Sequence, residues 1–363
     1  MNVLYLINYA GNGGSEKYVY NLINAYNGKK CDCFFAYNCH GLLAKKAAED
    51  KIITFNIEMK SPFDIKAAKA LGKICRQYDI DIVHTHYPRE NVIANLAKRY
   101  CKGLKVVYTN HFLTESPLLW QIINKLICRK TDSVIAVCNS SKELLIKNGY
   151  PEKKINVIYN GAPTPDETMK STLREELGIS ENTFVISALS RFSSEKRMDF
   201  AVEVAYLLKQ KMEKDFVFVL AGDGDMLESV KEQVKSKGLE DNVKCIGYRT
   251  DGSNILSGSD AYINCSETEA LSFAIVEALS FEKPCVVSAV GGNVEIVNDK
   301  TSCGVSCDKD KPEEFADAFV KLIEDKDFYE KCKNGAKDSY NEYFSLEKSL
   351  ENTFGVYENV LSK

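Results

Sequence analysis

Short apolar runs rich in valine and isoleucine alternate along the chain with stretches in which hydrophobic residues recur every three or four positions. The first kind of run reads as a buried strand and the second as an amphipathic helix, so the pattern predicts βαβ units on a parallel sheet. In the first half the predicted strands are Val3 to Asn8, Cys33 to Tyr37, Ile52 to Ile57, Ile80 to His84, Lys105 to Thr109, Ser133 to Val137 and Ile155 to Tyr159. Asn160-Gly161-Ala162-Pro163-Thr164-Pro165 then breaks the rhythm, because Asn-Gly favours a turn and prolines cannot continue a ladder. The pattern resumes with Phe184 to Leu189, Phe216 to Ala221, Val243 to Ile246, Ala261 to Asn264 and Cys285 to Ser288, and it ends in a helical stretch from Ser345 to Leu361. The expected fold class is α/β: two doubly wound, Rossmann-like domains, 1–163 and 164–340, facing one another across a cleft. A C-terminal helix within 341–363 is expected to pack back on the first domain. Ligands of such sheets bind beyond the carboxyl ends of the strands, which is where chemistry is sought.

Composition supports a globular protein: 363 residues, 45% hydrophobic and 27% charged. No apolar run reaches the roughly 18 residues that cross a bilayer, and the start lacks the basic segment of a secretory signal. The expected place is the cytoplasm, with a peripheral position at the inner face of a membrane left open. Thirteen cysteines are scattered through apolar strands and read as buried reduced thiols. Cys31, Cys33, Cys39 and His40 cluster without the paired CxxC spacing of a zinc site. Charge is lopsided: residues 1–165 carry 23 Lys+Arg against 13 Asp+Glu, and the remainder 24 against 38. A basic half suits an anionic partner, and the reading takes an anionic membrane rather than nucleic acid; a merely solvated surface accounts for the same count.

The first predicted strand runs into Gly11-Asn12-Gly13-Gly14-Ser15-Glu16, ahead of an apolar-periodic helix from Tyr18 to Ala25. Glycines at such a turn let backbone N–H groups approach a phosphate, though a plain tight turn uses the same glycines. Three of the four histidines, His84, His86 and His111, fall at predicted strand ends, where imidazole can donate to, accept from or charge-pair with sugar hydroxyls or phosphate. Arg191 and Lys196 follow the first strand of the second half, as a grip for a pyrophosphate or as a solvated charge pair. In Glu269-Ala270-Leu271-Ser272-Phe273-Ala274-Ile275-Val276-Glu277 a helix starting near Leu271 leaves Glu269 in the preceding loop and Glu277 about two turns along, amid apolar neighbours. The amides of Leu271, Ser272 and Phe273 are then open to phosphate. Asp223-Gly224-Asp225 reads as a glycine turn with an aspartate helix cap, and no metal site is expected.

Taken together, SRFSSEKRMD, VLAGDGD, KCIGYRTD, ETEALSFAIVEAL and KPCVVSAVGGNVEIV, in this order, resemble the second half of the retaining glycosyltransferases of family 4, of the two-domain type called GT-B. The resemblance covers nearly the whole length. It implies that Arg191 and Lys196 bind the donor pyrophosphate, that Glu277 holds the ribose, and that Glu269 holds the sugar hydroxyls, with the amides of Leu271, Ser272 and Phe273 on the phosphates. Gly13 and Gly14 would close over the diphosphate, His111 would lie beside the donor sugar, and Tyr248 with Arg249 would flank the base. His84 and His86 are candidates for the acceptor. No cofactor or metal is implied; the donor is a nucleotide-diphosphate sugar, UDP-linked by preference. Ala270 and Ser272 stand where glycine or proline is frequent, and Ser190 where glycine precedes the arginine, which blurs the donor sugar.

The acceptor is expected to be a glycan or lipid-linked hydroxyl met by the basic half. Pro117 to Lys130, PLLWQIINKLICRK, gathers Leu118, Leu119, Ile122, Ile123, Leu126 and Ile127 on one helical face; the reading takes it as a core helix, with a membrane-surface helix as the alternative. A sugar-nucleotide 2-epimerase of the same architecture and a non-catalytic nucleotide-sugar binder share these features.

Overall fold

The computed structural model describes residues 1–166, 168 and 170–363. The chain forms two compact units, Met1–Asn160 with Lys348–Lys363, and Gly161–Glu347.

The first unit is a seven-stranded sheet of β1 (Asn2–Tyr9), β2 (Asp32–Cys39), β3 (Ile53–Asn56), β4 (Ile82–Thr85), β5 (Lys105–Asn110), β6 (Ser133–Ala136) and β7 (Ile155–Val157). All its pairs are parallel, in the order β3-β2-β1-β4-β5-β6-β7. Val3 lies in register with Cys33 on one side and Ile82 on the other, so the winding reverses between β1 and β4. The strands read as continuous apolar runs because helices cover both faces: Leu4, Leu6, Val83 and Val106 pack with Leu71, Ile93 and Ala97.

The second unit holds six parallel strands, β8 (Phe184–Leu189), β9 (Phe216–Ala221), β10 (Val243–Gly247), β11 (Ala261–Asn264), β12 (Cys285–Ser288) and β13 (Gly304–Cys307), in the order β10-β9-β8-β11-β12-β13. Its winding reverses between β8 and β11. β13 was not foreseen. It is a short, half-exposed edge strand whose first residue, Gly304, has a φ of +154°, and a Cβ there would lie 1.8 Å from the carbonyl oxygen of Cys285.

The units divide at Asn160, not at residue 163, and the second unit extends to Glu347, not to 340. The reason is a bridge between Ala162 and Ser345: Ala162 N–H donates to Phe344 O at 3.0 Å, and Leu346 N–H donates to Ala162 O at 2.8 Å. From Lys348 the helix Leu346–Leu361 belongs to the first unit, where Tyr26 Oη donates to Leu350 O at 2.5 Å.

The helix Leu118–Ile127 overturns its expected core role. Leu118, Leu119, Ile122 and Leu126 are 74%, 67%, 53% and 60% exposed, and of its residues only Asn124 is buried. Periodicity places apolar groups on one face but does not say whether that face meets protein or solvent. Among the described residues no helix is long and apolar enough to cross a membrane.

Candidate active site

At the second unit's reversal, the loop leaving β8 is shaped by glycines. Gly222, at φ +149°, passes so close to Ser190 that a Cβ would sit 1.8 Å from its carbonyl oxygen; Ser190 N–H donates to Ala221 O and Phe192 N–H to Asp223 O. Thus held, the loop delivers Lys196 to the end of β11. There its Nζ lies 2.5 Å from Glu269 Oε1, with the two side chains only 17% and 13% exposed. The same carboxylate oxygen accepts from Ser266 Oγ at 2.8 Å, and Glu267 N–H donates to Glu195 O, joining the loops of β8 and β11. Behind them Gly292 N–H donates to Glu269 O, and a Cβ on Gly292 would meet Ala270 O at 1.9 Å. A small pocket between the strand ends is lined by Ser190, Lys196, Tyr262, Asn264 and Ser266. The pairing of Lys196 with Glu269 across 73 positions was not visible in any local pattern.

The following helix runs over Phe273–Ser280, two residues later than expected, with Ser272 as its N-cap, accepting from Ile275 N–H at 3.5 Å. Leu271 and Ser272 therefore lie ahead of the helix. The helical amides lacking an intrahelical acceptor begin with Phe273 and Ala274, the latter missed by the sequence reading. Glu277 lies one turn beyond Phe273 and is half-buried, while Ile275, Val276, Ala278 and Leu279 form the buried side. The expectation of a carboxylate enclosed by apolar residues is thereby corrected.

Arg191 is exposed and pairs with neighbouring Glu195. Tyr248 presents an exposed ring, but the Arg249 guanidinium is engaged: Asp251 accepts from it at 2.7 and 2.5 Å and Glu176 at 2.9 Å. Arg249 holds the Asp251 carboxyl well below the usual carboxylate range. Its charge is thus not open to a base in this arrangement. Asp225 does not cap a helix either: Asp223 accepts from Gly224 N–H, and the next helix, Leu227–Ser236, begins after Met226. Among the described residues no three His, Cys, Asp or Glu are grouped to hold a metal ion.

At the first unit's reversal, Gly13 is the N-cap of the helix Gly14–Tyr26. Its N–H donates to Glu16 Oε2 at 3.1 Å, and Ser15 Oγ donates to the same oxygen at 2.9 Å while bonding Tyr87 Oη at 2.8 Å. The Gly13 amide expected on a phosphate is thus already taken by a carboxylate, leaving Gly14 and Ser15 as the leading helical amides. The Gly-x-x-Glu spacing of a capping box was the signal that would have found Glu16.

The histidines sit side by side. His84 is fully buried, with Nδ1 2.6 Å from Tyr357 Oη and Nε2 2.7 Å from Thr109 Oγ1; with both nitrogens engaged it does not serve an acceptor. His86 is also buried, its Nδ1 3.1 Å from His111 Nε2, and its Nε2 has no partner among the described residues. It too is closed to an acceptor. His111 is partly exposed and is carried by a fixed loop, in which Asn110 Nδ2 donates to Phe112 O at 2.7 Å and to Ser141 Oγ at 2.9 Å. The ring of Tyr18 packs edge-on against His111 at 5.0 Å and His86 at 5.8 Å. Burial pushes the His84 and His111 pKa values down to about 3, and that of His86 well below its usual range, so all three are neutral near pH 7.

Two doubly wound parallel sheets, each with its polar side chains gathered where the winding reverses, define the GT-B class. Residues 12–166 match the model described as Glycosyltransferase Family 4, and residues 169–339 that of Glycosyl transferases group 1. The chain is 30% identical over 298 residues, 77% of its length and 76% of the relative's, to the Escherichia coli UDP-Gal:alpha-D-GlcNAc-diphosphoundecaprenol alpha-1,3-galactosyltransferase. It is 27% identical over 319 residues to the N-acetyl-alpha-D-glucosaminyl L-malate synthase of Bacillus anthracis, covering 85% of this chain and 82% of that one. A glycosyltransferase from Rickettsia africae shares the fold with a TM-score of 0.87 at 24% identity, over 100% and 99% of the two chains. Anabaena HepE in complex with UDP gives 0.87 at 19%, over 99% and 100%. The chain belongs to glycosyltransferase family 4 and is an enzyme of sugar transfer.

Proposed function

We propose that this glycosyltransferase moves a sugar from a nucleotide-diphosphate sugar, UDP-linked by preference, to a hydroxyl of a glycan or lipid-linked acceptor in bacterial envelope or polysaccharide assembly, with retention of anomeric configuration. The observation that carries the reading is the Lys196–Glu269 pair at the β8–β11 reversal. A carboxylate keeps the ammonium in place until a diphosphate arrives, and the ammonium then faces the charge that grows on the leaving phosphate. Lys196 and Arg191 neutralise that charge, with the amides of Phe273 and Ala274 beside them; Glu269 accepts from sugar hydroxyls, Glu277 from the ribose, and Tyr248 flanks the base. In the first unit Gly14 serves the diphosphate, and His111 serves the donor sugar. In the transfer the bond from the anomeric carbon to phosphate oxygen breaks, the acceptor oxygen bonds to that carbon on the same face, and the acceptor proton passes to the departing phosphate. The UDP donor is supported by the Escherichia coli relative's name and by Anabaena HepE, solved with UDP and with UDP-glucose.

The acceptor side rests on the exposed helix Leu118–Ile127. Its face continues through the stack of Trp120 on Phe63, at 5.9 Å, to exposed Ile65, and exposed Lys66, Lys125, Arg129 and Lys130 surround it. Apolar anchors ringed by cations suit an anionic lipid surface. Flotation with phosphatidylglycerol vesicles is expected to carry the protein at low salt and release it at high salt; absence of binding at low salt removes this part of the reading. The reaction is tested by following nucleotide release from a donor panel, with and without GlcNAc-diphosphate-polyprenol. Release that is indifferent to every acceptor rejects transfer to that class.

A further inference from the structure

His86 has no part in the roles above, yet it is placed against the one histidine that does. Its Nδ1 lies 3.1 Å from His111 Nε2, so one ring donates and the other accepts. Two arrangements satisfy that distance. If His111 donated, the single proton of neutral His86 would sit on Nε2, which is buried without a partner among the described residues. That would leave an N–H orphaned in the core, the costlier of the two ways to leave that nitrogen unpaired. If His86 donates from Nδ1, its buried Nε2 carries only a lone pair, and all N–H groups of the two rings can be satisfied. The surroundings reinforce the choice. His84, whose ring centroid is 4.5 Å from that of His86, has both nitrogens engaged by Tyr357 and Thr109 and cannot turn to meet it.

We infer that His86 is a positioning residue for His111: by donating its Nδ1–H to His111 Nε2 it fixes His111 as the Nδ1–H tautomer, which meets its ligand as a neutral hydrogen-bond donor and not as a base. Given the proposed place of His111 beside the donor sugar, the group it recognises is an oxygen lone pair, of a hydroxyl or an acetamido carbonyl. The buried side of the pair sets the chemistry of the exposed side, a relation in which the hydrogen bond at one ring nitrogen decides what the other can offer.

The test begins with the wild-type full chain labelled with ¹⁵N-histidine; with four histidines the long-range ¹H–¹⁵N spectrum is sparse. His86 and His111 are both expected to be protonated at Nδ1 and bare at Nε2. A protonated Nε2 on His111 overturns the inference. His86→Asn retains an N–H near the position of Nδ1, whereas His86→Phe removes it. The phenylalanine variant is expected to lose kcat about tenfold, the worth of one misplaced hydrogen bond, with donor KM little changed, and the asparagine variant to recover most of it. Equal kcat in both variants and wild type also overturns it. Full turnover by His111→Ala would instead remove the proposed sugar-facing role of His111, while the spectrum still decides the tautomer.

Discussion

The two places where the winding reverses use the same backbone geometry for different electrostatics. Between β8 and β11 the side chains are charged and paired, Lys196 with Glu269 and Arg191 with Glu195, and a second family of contacts made by glycines holds the loops. Between β1 and β4, and at the neighbouring end of β5, neutral rings predominate: His84, His86 and Tyr18 are buried, His111 is partly exposed, and the Glu16 carboxylate is taken up by the Gly13 N–H and Ser15 Oγ. Strand-end position therefore marks where a site is built but not what it does. An ion pair that can exchange its partner suits an incoming diphosphate, whereas desolvated imidazoles suit hydroxyls, which need fixed directions more than charge.

The sharpest way to break this contrast is at the ion pair. Lys196→Ala and Glu269→Ala are each expected to lower kcat by about 10²–10³-fold, and the double variant by little more than the worse single one, because both groups act at one centre. Steady-state kinetics showing fully additive losses would separate their roles.

Acid should distinguish the units next. An unfolded histidine takes a proton near pH 6.5, whereas His84 and His111 in the fold resist it down to about 3. Their contribution to stability is complete above pH 6.5 and is lost as pH falls from there towards 3. The only tryptophan, Trp120, reports on the first unit, so its fluorescence is expected to show melting at progressively lower temperature through that range. A melting temperature flat from pH 7 to 4.5 in a Glu90→Gln background, which removes the opposing titration of that buried carboxyl, would refute the neutral-histidine account.

Glu90 makes the complementary case. It is fully buried with neither carboxylate oxygen bonded among the described residues, and burial raises its pKa to about 7. Here the folded protein holds a proton that the unfolded chain has released above about pH 4.5, so stability is lost as pH rises from there through 7. Glu90→Gln is expected to exceed wild type by on the order of 2 kcal/mol at pH 8, with the gap closing towards pH 5, in urea unfolding followed by Trp120. A gap independent of pH would assign the buried proton elsewhere. The smallest effect is expected at Arg249. With its guanidinium held by Asp251 and Glu176, Arg249→Ala should change the donor KM by about twofold or less, as for a surface ion pair. A tenfold rise would place that charge on the nucleotide.

What could be read from the sequence followed what the chain decides locally. Twelve of the strands announce themselves as short apolar runs, most of them rich in Val or Ile, and in the middle of each sheet this follows from cover on both faces. β13 reads GVSC, with a glycine at its start and a serine within it, so it offers no apolar run and left no trace. Arg191, Lys196, Glu269 and Glu277 were singled out from loop position and family order, but the Lys196–Glu269 bond depends on tertiary placement. The start of the helix Phe273–Ser280 was misjudged because LSFAIVEAL is apolar on both sides of the cap. The burial of His84, His86 and Glu90 could not be read from residue type, since each is equally at home in water.

The C-terminal helix has a consequence for how the molecule is made. Tyr26 Oη donates to Leu350 O, Tyr18 Oη meets Thr353 Oγ1 at 3.4 Å, and His84 is held by Tyr357. During synthesis these N-terminal residues leave the ribosome 273 to 335 positions ahead of their partners. Tyr18, Tyr26 and His84 therefore gain these partners only after residues 161–347, which build the second sheet, have been made.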